Sequence, residues 1–447
     1  MRTRDPKKLF PEINVPEVAP KPDYRVTEIR RYKLITPLFG GGVEAQKADP
    51  ITTIRGASVR GQLRFWWRAT RGGQFEFDGD LEKMRQAENA IWGSAARKGD
   101  ETGGPSKVQI VVSHSTEGAE DHPFEVVAKS GKPIPRPRTG SSAPSYASFP
   151  LQPKREEAKV NMETLAVKVG VKFTLEISYP KAVEQDVQAA LWAWETFGGI
   201  GARTRRGFGA LQLVSVDDKA SLALRPGEVE AELRNKLREH AVVGRWPDQV
   251  PHLTRDMRLE VYIPSGQYSS SIHVWNDLIK QLQDFRQKRH KRMGLSLWPE
   301  ANEIRHRLKH DQKWPEQITS PRLVHKFPRA VFGLPILFHL PHDKHLPVDT
   351  FTLQGKSDPA AEKKFERLSS ALILRPLSCL NDQAVGLAAV LDAPLTPPYG
   401  LRIEELVQDK QDVEWQLTED EANSAPIREI LHGQPDVIEA FLEYLKK

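Results

Sequence analysis

The sequence predicts an α+β fold built of tandem ferredoxin-like (RRM-like) domains with long insertions. Three observations carry this expectation. The first half orders its elements as strand, helix, strand, strand, helix, strand. The second half repeats that theme loosely. The length of 447 residues exceeds what one growing core holds. We therefore divide the chain into a first domain over 1–220, a linker over 221–250 and a second domain over 251–447.

The elements follow in order. "TEIRRYKLITPL" (27–38) reads as a strand ending at Pro37 and the loop "FGGG". "SVRGQLRFWWRAT" (58–70) has helical spacing, with Val59, Leu63, Trp66 and Thr70 on one side. "KVQIVVS" (107–113) is a strand, and a further short strand is expected near Phe149. The tract over 129–157 is rich in Pro, Gly, Ser and Lys, the composition of an exposed loop or insertion. A strand at 171–179, a helix at 183–197 and a strand at 209–216 complete the unit. One face of such a sheet is free to receive a ligand, as in RNA-recognition modules. The linker reads as polar and helical. In the second half, 257–264, 329–340, 370–377 and "VGLAAVLDA" read as strands, and 272–290 as a helix. An acidic stretch over 403–424 precedes a closing helix, "QPDVIEAFLEYLKK".

Composition narrows the function classes. The chain is 39% apolar with ten Trp, 28% charged, and its mean hydropathy is −0.52. No apolar run approaches a membrane span, and the basic, proline-rich start has no apolar segment of a secretory signal. A cytoplasmic location without membrane contact is the expectation. The single cysteine, Cys379, excludes a disulfide framework and a Cys-based zinc site. A net charge of +6 is moderate, so the placement of charge matters more than its sum.

That placement is uneven. "GGIGARTRRGFG" (198–209) packs five glycines and three arginines into twelve residues. Glycine allows tight turns and close approach of another chain, and arginine supplies forked donors suited to phosphate. "RGASVRGQLRFWWRATRGG" (55–73) places Arg60, Arg64 and Arg68 at i, i+4 and i+8, with Arg71 beyond, and no acidic residue interrupts it. The plain alternatives are a solvated basic face and a turn that simply requires glycine. Trp66, Trp67, Trp192 and Trp194 read as core rather than as base-stacking platforms. A third cluster, "RQKRHKR" (286–292), holds five Lys or Arg in seven residues. Helix C-terminal capping accounts for part of it, and contact with a phosphate backbone is the other reading.

Catalytic signals are weak. His306 and His310 stand at i, i+4, and His339, His342, Asp343 and His345 are grouped, but neither spacing matches a standard metal site. Only His114 and His122 are offered by the first domain as a general base. No phosphate-binding GKS or GKT motif and no catalytic triad stands out. The expectation is no enzyme, no metal and no cofactor.

"ITPLFGGG", "IRGASVRGQLRFWWRATRGG" and "WETFGGIGARTRRGFGAL" together resemble the RAMP superfamily of CRISPR effector proteins, and within it the first-subunit family of type III-B (Cmr) complexes. "GLSLWPEANEIR", "FGLPILF" and "LILRPL" extend the resemblance to about residue 377. It does not cover the acidic tail or the Pro/Ser-rich insertion. The resemblance implies a non-nucleolytic subunit of a ribonucleoprotein that holds CRISPR RNA and target RNA near the guide 3′ end. Other Cmr subunits, backbone and neighbouring RAMP proteins, would be its partners. The implied RNA contacts fall on Arg55, Arg60, Arg64, Arg68, Gly198, Gly199, Gly201, Arg203, Arg205, Arg206, Gly207 and Gly209. Two alternatives stay open. One is a RAMP-type, metal-independent endoribonuclease processing precursor CRISPR RNA, which needs a His or Tyr beside the loop. The other is a protein scaffold whose arginines meet an acidic neighbour.

Overall fold

In the computed structural model, the described residues are 24–447 apart from 45, 50, 96–103, 155, 265–268, 292–294, 309–323, 341–345, 359–366 and 407–410, and apart from the side chains of His114 and Ser115. His310, His342, Asp343 and His345 lie outside the described residues.

The first half contains β1 (Arg25–Leu34), α1 (Gly56–Arg71), α2 (Leu81–Trp92), β2 (Gln109–Thr116), β3 (Ala119–Asp121), β4 (Phe124–Lys129), β5 (Lys132–Pro137), α3 (Ser145–Ser148), β6 (Val167–Val169), β7 (Lys172–Pro180), α4 (Glu184–Phe197), β8 (Leu211–Val216) and β9 (Lys219–Ala220). Its sheet runs β2-β7-β1-β8-β9. The pairs β1–β7, β1–β8 and β2–β7 are all antiparallel. The four main strands thus stand in the order fourth, first, third, second. Alternation explains the faces: Phe173, Leu175, Ile177 and Tyr179 of β7 are buried beneath α1 and α4 with Val59, Leu63, Trp66, Trp67 and Trp194. Trp192 is only half-buried, stacked on His240 and edge-on to Phe197. The opposite face exposes Ile29, Val111 and Val214. The outward residues of β1, such as Thr27, Ile29 and Arg31, include no aromatic ring for base stacking.

Between β2 and β7 the chain makes the β4–β5 hairpin and β3–β6 pair. The tract expected as an exposed loop is docked: Ala143, Ala147 and Leu151 are buried against Trp275 and Leu278 of the second half. Phe149 opens a 3-10 turn (Phe149–Leu151), not the expected strand, because Pro150 fits the first turn of a helix and cannot donate to a ladder.

The second half follows α5 (Val229–His240), which supplies the expected helix in the linker. It comprises β10 (Leu259–Tyr262), α6 (Ser271–Arg286), α7 (Glu300–Arg307), β11 (Ile336–His339), β12 (Thr350–Gly355), β13 (Leu372–Ser378), β14 (Ala384–Val390), β15 (Leu401–Ile403), β16 (Asp412–Val413), α8 (Glu419–Ala422), α9 (Arg428–Leu431) and α10 (Val437–Leu445). Two sheets form, β10-β14-β13 and β11-β12-β15-β16. Among the described residues the second half is therefore a three-stranded sheet with α6 and α10, joined by a separate four-stranded sheet. The segment 329–340 splits, because Pro328–Phe332 turns as a 3-10 helix before β11.

Every residue of β14 is buried. One face of its sheet shares a core with α1, α4 and α5 through Ile373, Leu387, Val229 and Leu237. The other face packs on α6 and α10 through Leu374, Ala388, Leu278 and Phe441. The two halves are thus joined by continuous apolar burial, which positions the glycine-rich loop at their junction.

Candidate nucleic-acid interface

The glycine-rich loop leaves α4 at Gly198, whose N–H caps Trp194 O at 3.0 Å. It closes on itself where Ile200 N donates to Gly209 O at 3.0 Å, and it is tied to the end of β1 by Gly209 N→Pro37 O and Ala202 N→Phe39 O, both 2.8 Å. Gly207 (φ +83°) and Gly209 (φ +60°) occupy left-handed backbone. A Cβ on Gly207 would lie 2.4 Å from Trp275 Nε1, and one on Gly209 would lie 2.0 Å from Ile200 O. Side chains at Gly198, Gly199 and Gly201 would meet Trp66 Nε1, Gly209 O and Leu38 Cδ1 within 2.8 Å. The protein's own atoms therefore already account for glycine at all five positions.

The second half grips the loop from below. Arg375, fully buried in β13, donates from Nη1 to Gly198 O (2.6 Å) and from Nη2 to Leu211 O (2.9 Å). Trp275 Nε1 donates to Arg206 O at 2.7 Å. Burial pulls the Arg375 guanidinium down to about 9.

At the loop tip, Arg203 sits in left-handed backbone ahead of a 3-10 turn over Thr204–Arg206. Arg206 donates to Leu372 O (3.0 Å) and Phe332 O (2.7 Å). Arg205 donates to Ser370 O and lies 5.8 Å from the Phe65 ring centroid. These bonds satisfy carbonyls at and just before the start of β13 and at the end of the Pro328–Phe332 turn. Arg286, at the end of α6, donates to Tyr146 Oη at 2.8 Å and lies 5.3 Å from the Phe332 ring centroid, while its Nε is buried with no partner among the described residues. None of Arg203, Arg205, Arg206 and Arg286 is paired with a carboxylate among the described residues. Together with Phe332–Pro335 and Leu368–Ser370 they line a cavity of about 360 Å³. Burial holds Arg205 down at about 10. Burial first, then neighbouring Arg286 and Arg203, holds Arg206 down at about 9. Four crowded cations without a counter-charge form an arrangement that an anion stabilises.

The expected stripe on α1 is interrupted. Arg64 Nε donates to Glu88 Oε1 at 2.6 Å and its other nitrogens reach Asn89 and the Gly93 carbonyl; Arg68 pairs with the same Glu88. Arg71 pairs with Asp186 at 3.3 Å. The absence of acid within the stretch misleads because α2 and α4 bring the counter-charges from elsewhere in the chain. Arg55 and Arg60 differ. Arg55 donates to Gly41 O at 2.7 Å, and Arg60 Nε is buried with no partner among the described residues. Both flank the start of α1, where no acidic residue occupies the first turn. A Cβ on Gly41 would lie 3.5 Å from Gly201 Cα, so the α1 start adjoins the loop.

Of the histidines considered, His306 lies 4.9 Å from His325 ring to ring, and His339 Nδ1 is 3.0 Å from Thr350 Oγ1. His122 Nδ1 is 2.7 Å from Thr164 O. His122, Glu120 and Glu163 bring ligand-type atoms within 4.8 Å, but Glu120 also pairs with Lys168. Two residues were not foreseen at the site. Arg286 belonged to a separate basic run, and Arg375 was an unremarked charge in the strand "LILRPL". A lone arginine amid apolar strand residues was the available signal. Among the described residues no helix is long and apolar enough to cross a membrane.

The model of the RAMP superfamily matches residues 31–212. Two curated relatives come from Pyrococcus furiosus. The CRISPR system Cmr subunit Cmr1-2 is 28% identical over 187 residues, 40% of this chain and 90% of the relative. The subunit Cmr1-1 is 25% identical over 162 residues, 36% of this chain and 40% of the relative. Among solved structures, apo Cmr1 from Pyrococcus furiosus aligns at 14% identity and TM-score 0.46 over 87% of this chain and 93% of its own. A chain of the type III-B Cmr-β complex bound to cognate target RNA aligns at 13% identity and TM-score 0.47, over 94% and 99%. The glycine-rich loop lies inside the segment that matches the RAMP superfamily, and over 36–40% of its length the chain is similar to these two Cmr1 subunits.

Proposed function

We propose that the chain is the Cmr1-type subunit of a type III-B CRISPR ribonucleoprotein in the cytoplasm, where it holds CRISPR RNA and target RNA near the guide 3′ end without cutting them. One observation carries the reading: four arginines with no carboxylate partner among the described residues converge at the glycine-rich loop. Contacts of this kind position a sugar–phosphate backbone without reading sequence. That suits a complex in which base pairing with a guide supplies specificity. Other Cmr subunits are its protein partners. Arg64 and Arg68, held by Glu88, contribute less to RNA than Arg203, for which no side-chain hydrogen bond or ion pair is found among the described residues.

The test uses Arg203→Glu, because Arg205 and Arg206 also brace β13. Loss of RNA binding with intact folding supports the reading. Retained RNA binding with failed assembly into the Cmr complex supports a protein scaffold instead. A second reading, a metal-independent endoribonuclease, gains one candidate from the structure: Tyr146, bonded to Arg286 beside the loop. Cleavage of precursor CRISPR RNA that disappears in Tyr146→Phe would establish it over the non-catalytic reading.

A further inference from the structure

A second polar cluster stands at the base of the insertion between β2 and β7. Glu120 lies in β3 and His122 follows that strand directly, so the two side chains, two residues apart, share one face. Glu163 reaches them from the segment that leads into β6, the strand paired with β3. One ligand-type atom from each of the three lies within 4.8 Å of the others. The His122 ring is already set for a ligand's role. Its Nδ1 faces two acceptors, Thr164 O at 2.7 Å and Thr164 Oγ1 at 3.3 Å, the hydroxyl giving its own hydrogen to Phe124 O at 2.7 Å. Nδ1 therefore carries the proton, and the lone pair of the neutral imidazole is on Nε2. A ring N–H that donates to a backbone carbonyl is what orients metal-bound histidines. Thr164 is itself buried, and β3 is held at its end where Asp121 accepts from Ser141 Oγ and from Ser142 N and Oγ.

We propose that Glu120, His122 and Glu163 bind a zinc-class divalent cation, a structural ion independent of the RNA-holding reading. Two carboxylates and an imidazole supply the mixed O and N donors that suit Zn²⁺ and its first-row neighbours, whereas Mg²⁺ and Ca²⁺ favour oxygen alone. Three protein ligands leave a position for water. Ligands ~2.0–2.2 Å from the ion stand about 3.4 Å apart in a tetrahedron, so the exposed carboxylates close in by roughly 1.4 Å at most. Lys168, opposite Glu120 in the β3–β6 ladder, neutralises that carboxylate at 3.2 Å. A dication brings the greater charge, and the flexible lysine stem lets the ammonium yield its place. The Lys168 backbone stays bonded to Leu38 through both its N–H and its carbonyl. The site joins the ends of a long excursion, since Thr164 lies 42 residues from His122. The β4–β5 hairpin and the segment docked on the second half through Ala143, Ala147 and Leu151 lie within it. The ion clips the base of the insertion and closes that loop.

The experiment uses the full chain without an affinity tag, stripped with a chelator. Zn²⁺, Mg²⁺ and Ca²⁺ are titrated separately by calorimetry, with Co²⁺ absorption as a second readout. One Zn²⁺ per chain is expected, with Mg²⁺ and Ca²⁺ weaker by about a hundredfold or more. Glu163→Gln and His122→Gln are expected to weaken Zn²⁺ by about tenfold or more. Both are expected to keep the wild-type urea midpoint in chelator, since Glu163 is exposed and His122 half-buried. Lys168→Met removes the competing cation and is expected to tighten Zn²⁺ about tenfold. Amide exchange in β3 and β6 is expected to slow about tenfold at a Zn²⁺ concentration about ten times the dissociation constant. The site is overturned by any of four results: no saturable Zn²⁺ binding, Mg²⁺ bound as tightly as Zn²⁺, binding undiminished in both ligand variants, or binding not tightened in Lys168→Met. Undiminished binding would move the ion to another histidine cluster, such as His306 and His325.

Discussion

Replacing Arg375 separates the cost of burying a charge from the benefit of holding the loop. Its guanidinium is fully buried and its hydrogen-bond partners are neutral carbonyls: those of Gly198 and Leu211 at the two ends of the loop, and Pro376 O at 3.3 Å. Holding its charge in place down at about 9 rather than 12.5 corresponds to a penalty of about 5 kcal/mol. In Arg375→Met that penalty vanishes, but the Gly198 and Leu211 carbonyls lose their donor at about 1–3 kcal/mol each, and Pro376 O loses a longer contact. The terms nearly cancel, so global stability changes by less than about 2 kcal/mol. The loop, however, loses its tie to the second half. Amide hydrogen exchange at Ile200, Ala202 and Gly209, each bonded within or beside the loop, is expected to quicken tenfold or more, and RNA affinity to fall with it. Arg375→Lys keeps a buried charge yet cannot span both carbonyls, so it is expected to destabilise more than Met does. Urea denaturation and exchange mass spectrometry check both. A lysine variant more stable than the methionine one, or loop exchange unchanged in Arg375→Met, would refute the reasoning.

Three further outcomes follow from the same geometry. Glu88→Gln removes the counter-charge of Arg64 and Arg68, and is expected to cost about 1–3 kcal/mol in urea denaturation while raising affinity for single-stranded RNA at low salt. Gly207→Ala combines left-handed backbone with a contact 2.4 Å from Trp275 Nε1, so a loss of about 2–4 kcal/mol is expected, with RNA binding reduced in filter assays. Burial, opposed by Glu239, holds His240 below its ordinary 6.5. The unfolded chain then binds the extra proton more readily, so stability falls as pH drops below about 6.5, and thermal melts of His240→Phe should lose that component of the pH dependence.

Much of the first half was legible because its strands alternate and its helices show helical spacing over long runs. β1, α1, β7, α4 and β8 each lie within a few residues of their expected ranges. The loop was legible by composition, but the reason for its glycines was not. Their missing Cβ positions are occupied by Trp66, Trp275, Leu38 and the loop's own carbonyls, contacts that only the folded chain creates. The free stripe on α1 failed for a related reason. Glu88 stands twenty residues from Arg68 and meets it only because α2 packs back on α1. In the second half the apolar strands of "SALILRPL" and "VGLAAVLDA" were evident, since strands buried on both faces read as continuous apolar runs. The separate sheet of β11, β12, β15 and β16 was not, because its short strands are scattered over 336–413. Neither Arg286 nor Arg375 could be joined to the loop from sequence, as each arrives from more than 75 residues away.

The central claim is an RNA-holding surface that neutralises phosphates and does no chemistry. Its most direct test mixes the wild-type chain with end-labelled single-stranded RNA and with a guide–target duplex, with and without magnesium, across a salt series. If about three phosphates are neutralised, log affinity for the single strand falls against log salt with a slope near −2. The account predicts that slope with every strand intact, and a shallower slope with weaker binding in Arg203→Glu. Discrete cleavage of the RNA, or binding that ignores both salt and Arg203→Glu, would contradict it.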